Sequence, residues 1–311
     1  MDRARELGHA HVYGSSVEGR DLLAVRVCRD ADLDAPVVVV TAGIHGLEYI
    51  GVQAALRVLE LGPLPGLQLW VCPVLNPDGY AHTWRTQGRA PVGLLRKNAQ
   101  GVDLNRNFPL PWSARPSRWK VAGSHDPLDA TFRGPAPLSE PETHHLATWL
   151  EAVAPRGSVN FHSFMGTLIC ARVWHPSDWF TYGRLCGAFR EGQGGPLGYL
   201  RLGTPLFDVF TGELEDWQHH VLGCWATCVE CFSLVETMRQ HWSAPTAFWR
   251  FNPREPDPIA SRDASGARRM LVAMAATDRP PHRPGAATTL AAWGPRYDGA
   301  APASMHRLPG R

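Results

Sequence analysis

The chain has 311 residues, 44% of them hydrophobic, and 31 Lys plus Arg against 29 Asp plus Glu give a net charge of +2. This supplies the core for one large domain or two small ones, and the near-balance of charge argues against nucleic acid or an anionic membrane as partner. No apolar run reaches the length of a membrane span. The basic residues other than Lys97 and Lys120 are scattered Arg, and seven Cys, an odd number, fit reduced thiols better than a disulfide framework.

In chain order, residues 22–28 and 37–43 are apolar, β-branched runs that predict strands. The second leads into His45-Gly46-Leu47-Glu48, and a helical pattern over 48–61 follows. A strand predicted at 67–73 ends at Asn76-Pro77-Asp78-Gly79, where Pro second and Gly fourth predict a β-turn. Residues 86–101 and 109–138, rich in Pro, Gly and Arg, read as long surface loops of the kind that carry substrate contacts. Ser139 and Glu142 predict a capping box for a helix over 139–153. Pro141 sits in its first turn, and Leu146, Trp149, Leu150 and Val153 fall on one face. His144 and His145 on that helix read as surface or packing residues. Strands at 157–161, 167–173 and 226–232 and a helix at 178–190 complete the pattern. The alternation predicts an α/β protein, a three-layer α/β/α sandwich with a mixed, largely parallel central sheet over residues 1–277. From 278 to 311 the chain turns to Pro, Ala, Gly and Arg without periodicity, which predicts a tail that is poorly ordered or draped on the surface. There is no internal repeat.

Several polar residues stand out against this frame. His45 and Glu48, three apart where a strand gives way to a helix, can grip one metal ion. His162, at the end of the apolar run Ser158-Val159-Asn160-Phe161, offers a third ligand. Two His and one Glu with an open fourth position is a catalytic zinc arrangement. Glu230 lies in an otherwise apolar strand, where a carboxylate is costly unless it faces a pocket or a partner. Cys224, Cys228 and Cys231 have the spacing of a four-iron cluster motif. Strand alternation, however, sends Cys228 and Cys231 to opposite faces, so these and the other cysteines read as small buried apolar residues.

Taken with Tyr13 to Arg20, Asn76 to Tyr80, Arg96-Lys97-Asn98, Gly101 to Phe108 and Ser139 to Thr143, in this order, the chain resembles the zinc carboxypeptidase family over roughly residues 10–240. That family also includes bacterial murein peptide amidases. The resemblance implies one zinc per chain, held by His45, Glu48 and His162. Glu230 matches the Glu that activates the water and passes its proton to the leaving amine. Arg96 matches the Arg that stabilises the oxyanion, and Asn105 with Arg106 the pair that binds the substrate's terminal carboxylate. Asp103 matches the partner that orients His45. Glu215 falls at the base of the side-chain pocket, where an acid in relatives goes with release of C-terminal Lys or Arg.

Two positions depart from the family pattern. Asp208 stands where a flexible Tyr closes over the substrate, and Leu47 replaces an Arg of digestive members. Glu215 and Asp208 together predict an acidic pocket for a basic or diamino leaving residue.

The expected activity is that of a zinc metallocarboxypeptidase acting on a peptide or peptide-like substrate with a free carboxylate. The alternative is an amidase for a non-standard amide, such as a γ-glutamyl–diamino acid bond or a small metabolite. A binder of peptide termini without catalysis is a further alternative. Residues 1–6 lack the apolar core of a signal peptide, and little precedes Tyr13, so a cytoplasmic protein made in active form is expected. The oligomeric state is left open.

Overall fold

The structure is a computed structural model and describes residues 1–109, 123–173, 175–194, 198–202, 210–241 and 246–281. Its strands are β1 (His9–Ser15), β2 (Asp21–Val27), β3 (Val37–Ala42), β4 (Gln68–Cys72), β5 (Gly157–Ser163), β6 (Thr167–Cys170), β7 (Leu200–Leu202) and β8 (Trp225–Cys231). The helices are α1 (Asp2–Glu6), α2 (Tyr49–Glu60), α3 (Pro77–Arg85), α4 (Val92–Arg96), α5 (Pro141–Val153), α6 (Pro176–Gln193), α7 (Leu214–His220), α8 (Leu234–His241), α9 (Phe248–Phe251) and α10 (Pro256–Ala275).

The strands form one sheet in the order β1-β2-β4-β3-β5-β8-β6-β7. Its centre is parallel, through β4–β3, β3–β5 and β5–β8. Antiparallel pairings bring in β2 and β1 on one side and β6 on the other. Alternate residues of the central strands face two separate cores, as period-2 side-chain direction requires. Val38, Val40, Val159, Phe161 and Val229 pack with apolar residues of α2, α6 and α10. Val39 and Ala24 pack with Leu146, Trp149 and Leu150 of α5 and Leu214 and Trp217 of α7. This is the expected three-layer sandwich with a mixed sheet.

Three local expectations are corrected. Asn76-Pro77-Asp78-Gly79 is not a free turn. Asn76 caps α3, its Oδ1 accepting the Gly79 N–H at 2.8 Å, and Pro77 occupies the first turn. Asn and Pro favour a type I turn and a helix start through the same αR geometry, and the turn chemistry alone does not separate them. The capping box at Ser139 and Glu142 is also absent. The Ser139 hydroxyl donates to Glu140 Oε1 at 2.7 Å, and Glu142 accepts instead from the Val17 N–H and the Asn98 amide. Tertiary partners drew Glu142 from the helix end, while Ser139 is held by its neighbour Glu140 and by the Asn107 amide, which donates to Ser139 Oγ at 3.0 Å. Finally, residues 86–101 are not loop throughout, because α4 forms within them and ends on Arg96.

The long helix α10 is absent from the sequence pattern, yet Ala260, Ala264, Ala267, Leu271 and Met274 form a buried stripe along it. Small side chains, Pro258 and Gly266 blur its periodicity. Gly266 is needed at a close approach: a Cβ there would lie 2.9 Å from the Phe189 carbonyl oxygen of α6. Beyond α10, the Asp278 carbonyl accepts the Trp225 indole N–H at 2.7 Å, and Arg279 donates to the Ala154 and Pro155 carbonyls. Residues 282–311, the rest of the expected tail, lie outside the described residues.

Candidate metal centre

In open α/β sheets, ligands bind beyond the carboxyl ends of the strands, where the strand order reverses. Here the chain runs from β3 to β4 on one side and later returns to β5 on the other, so the reversal lies between β3 and β5. His45 and Glu48 follow β3, and His162 is the next-to-last residue of β5. Glu230, next to last in β8, is the cross-strand partner of His162. Topology therefore brings together four residues separated by up to 185 positions in the sequence.

The loop that carries His45 and Glu48 is gripped from two sides. The Asn76 amide donates to the Ile44 carbonyl at 3.3 Å and to the Lys97 carbonyl at 3.1 Å. Asn252 donates to the Leu47 carbonyl at 2.8 Å and accepts the Ile50 N–H at 2.9 Å. Gly46 lies flat against α3, where a Cβ would come within 2.3 Å of the Gly79 carbonyl carbon. Only glycine permits that backbone approach.

His45, Glu48 and His162 are all buried, and their ligand atoms lie within 4.8 Å of one another. His45 Nδ1 stands 2.7 Å from Glu48 Oε1, and His162 Nδ1 stands 3.1 Å from Glu48 Oε2. Glu48 Oε2 is nevertheless buried without an aligned hydrogen-bond donor among the described residues. A carboxylate oxygen held close to an imidazole nitrogen without an aligned hydrogen bond is what a shared cation would satisfy, and two imidazoles with a carboxylate are a zinc donor set. The residues fit a zinc ion. Behind them, Asp103 Oδ1 stands 3.1 Å from His45 Nε2 and also accepts the Asn105 N–H, while Arg96 Nε donates to Asp103 Oδ2 at 2.7 Å. An outer carboxylate of this kind fixes the imidazole's tautomer and leaves Nδ1 as the ligating atom.

Burial alone would raise the Glu48 carboxyl; the facing His45 and His162 outweigh it and hold Glu48 below the ordinary carboxylate range. Burial also pulls His162 down, toward the neutral form that ligates a metal. Burial pushes the Glu230 carboxyl up to about 8. Glu48 and Glu215 push the same way, and Arg96 and Arg106 oppose them. Among the described residues, Glu230 Oε2 is buried without a hydrogen-bond partner. The two carboxylates thus differ in protonation within one site, a pattern typical of functional centres. Arg96 stays charged, since Asp103, Glu48 and Glu230 outweigh its burial. Among the described residues, its Nε is engaged by Asp103 Oδ2.

Arg106 and Asn105 are tied to the start of α7. Asn105 Oδ1 accepts the Leu214 N–H at 3.0 Å, and Arg106 Nη1 donates to the Asn105 carbonyl at 2.6 Å and lies 3.4 Å from Glu213 Oε1. The Phe210 ring sits 4.7 Å from the Arg106 guanidinium carbon. Glu215 is fully buried and near enough to Glu230 and Cys228 to raise both. Asp208 lies outside the described residues. The structure thus groups His45, Glu48, His162, Glu230, Arg96, Asn105, Arg106 and Glu215 around one centre.

Sequence reasoning did not single out Glu213 as the partner of Arg106, nor Asn252. It read Cys228 as a plain apolar residue, yet Cys228 groups with His162 and Glu230. The period-2 offset from Glu230 along β8 was the available signal. Cys231 falls in the opposite core, and all seven cysteines are free.

A three-layer α/β/α sandwich with a buried two-His, one-carboxylate group at the switch point of its sheet defines a mononuclear metal-site protein of the α/β class. The zinc carboxypeptidase family profile matches residues 2–61 and 64–179, so the chain belongs to the zinc carboxypeptidase family. Carboxypeptidase O of Bos taurus is 29% identical over 171 residues, covering 49% of this chain and 43% of that protein. A fungal relative from Ajellomyces dermatitidis, named inactive metallocarboxypeptidase ECM14, is 31% identical over 175 residues, covering 49% and 28%. The chain therefore spans less than half the length of these curated relatives. Among solved structures, carboxypeptidase A from Helicoverpa armigera superposes with a TM-score of 0.68 at 20% identity, covering 89% of this chain and 71% of that one. That likeness extends the shared fold past residue 179, where the family match ends. Among the described residues no helix is long and apolar enough to cross a membrane.

Proposed function

We propose that this protein is a zinc metallocarboxypeptidase that hydrolyses the C-terminal amide bond of a peptide or peptide-like substrate. The observation that carries the reading is the convergence of His45, Glu48 and His162 with the proton-holding Glu230 and the charged Arg96 at the sheet's switch point. His45, Glu48 and His162 hold the zinc. Bound zinc supplies a Lewis acid and brings the pKa of a water down toward 7. A cation there also favours the charged form of Glu230. Glu230 takes the attacking water's proton and returns it to the leaving amine. Arg96, fixed by Asp103, faces the oxyanion, where a preorganised donor is worth about 3 kcal/mol. Asn105 and Arg106 hold the substrate's terminal carboxylate, the guanidinium accepting it as a planar fork.

Arg106→Ala should chiefly raise KM for substrates with a free C-terminal carboxylate, on the order of 10²-fold for a lost charge-assisted contact. Steady-state kinetics on matched free-acid and amidated peptides check this. Equal losses on both would remove Arg106 from the carboxylate site.

The leaving residue is, in this reading, basic or a diamino acid. Support comes from the buried Glu215 carboxylate close to Glu230, because an acid at the pocket base favours a cationic side chain. The test is release of C-terminal Arg, Lys, Phe and Glu from otherwise identical peptides, followed by mass spectrometry with and without a chelator. Chelator-sensitive loss of Arg or Lys is expected. A preference for Phe or Glu would refute the acidic pocket. Zinc binding with no residue released would move the reading to an amidase of a non-standard amide.

A further inference from the structure

On the side of the sheet away from the metal centre, five polar side chains meet in a core that is otherwise apolar. Asp263 of α10 is completely buried. One of its oxygens accepts from Gln193 Nε2 at 2.8 Å and from Arg262 Nε at 3.2 Å, and the other accepts the Tyr199 hydroxyl at 2.7 Å. The Tyr199 oxygen in turn accepts from Arg262 Nη2 at 2.8 Å and from the Phe232 backbone N–H at 3.0 Å. Its one donor and both lone pairs are used. Arg262 also pairs with Glu236 at 3.2 Å, and Glu236 Oε2 accepts the Ser233 N–H at 2.8 Å.

The network closes on two consecutive backbone amides, Phe232 and Ser233, immediately beyond Glu230 and Cys231. Phe232 is there in the left-handed region with φ of 61°, a conformation a non-glycine residue keeps only when its surroundings impose it. The chain at that point must leave β8 sharply, and Gly166, whose N–H donates to the Glu230 carbonyl at 2.9 Å, packs directly against Ser233. Buried ionic groups are poor sources of net stability, because desolvation offsets their attraction. Fixing one backbone geometry is the use such a network has here.

We propose that Tyr199, held by Asp263 and Arg262, is a positioning residue for Glu230. It acts through the Phe232 N–H to set where the end of β8 holds the carboxylate opposite His162. The proposal rests on the reading of Glu230 as the base. A carboxylate misplaced by about 1 Å loses on the order of 10²-fold in rate.

The test is Tyr199→Phe, which keeps the ring and removes only the hydroxyl, measured against Tyr182→Phe. Tyr182 is the matched control because its hydroxyl binds the Ala226 N–H at 3.3 Å, at the opposite end of the same strand. Both variants should lose thermal stability and keep one zinc. Tyr199→Phe alone should lower kcat by about 10- to 100-fold with KM unchanged, and should speed hydrogen exchange at Phe232 and Ser233. Tyr182→Phe should keep kcat. If Tyr199→Phe keeps kcat within about 2-fold, or if both variants lose kcat equally, the positioning role is overturned. Glu230→Gln, run alongside, separates the two ideas: substantial turnover in that variant would refute the base, whatever Tyr199 does.

Discussion

Glu230→Gln should leave the protein folded and able to take up one zinc, yet lower turnover by about 10²–10⁴-fold, the usual contribution of a positioned general base. Gln has nearly the same shape but cannot accept the proton. The substitution should not unfold the protein, because burial keeps the folded carboxyl neutral up to about pH 8 in the absence of metal, and an amide resembles that neutral acid. The metal-free variant should in fact be the more stable above pH 8, where the wild type must ionise a buried carboxyl. Steady-state kinetics, zinc analysis and melting curves at pH 7 and 9 check the three parts. A variant that loses zinc would place Glu230 among the ligands, and one that keeps turnover would remove it from the proton path.

Zinc should raise the melting temperature of the metal-free protein, and Glu48→Gln should abolish most of that gain together with activity. At a free zinc concentration 1,000 times Kd, linkage amounts to about 4 kcal/mol. The gain should grow as pH rises from 5 to 8. In the metal-free fold, the raised Glu230 pKa contributes stability below its ordinary value near 4.5, and that contribution is lost as pH rises through about 8. A cation at His45, Glu48 and His162 favours the charged Glu230 and offsets the loss. Protons competing for the two imidazoles at low pH act in the same direction. Melting curves with and without zinc at pH 5.5, 7 and 8 decide it. A zinc effect that shrinks with rising pH, or survives in Glu48→Gln, would rule out this donor set.

The metal group was legible because its residues end apolar runs. Val37 to Ala42 and Ser158 to Phe161 announce buried strands, and a polar residue just past such a run belongs to the strand's carboxyl end. Glu230 was legible for the related reason that a carboxylate inside an apolar strand needs a purpose. The central strands and the helices α2, α5 and α6 follow from periodicity and sit within a few residues of expectation. The residues that only support the site were not legible. Asn252 grips the Leu47 carbonyl across 205 positions, and Tyr199 meets Phe232 across 33.

By itself, then, the sequence pointed to the sandwich through local patterns of burial and polarity, and to the zinc donor set and the carboxylate facing it through those patterns together with the ordered motifs that resemble the zinc carboxypeptidase family. Tertiary structure decided what holds them. It turned Asn76 from a turn residue into a helix cap that fastens the His45 loop, drew Glu142 away from its helix end, and joined Arg106 to Glu213. A hydrogen bond between distant segments depends on where the whole chain brings its donors and acceptors, and no window of local sequence encodes that distance.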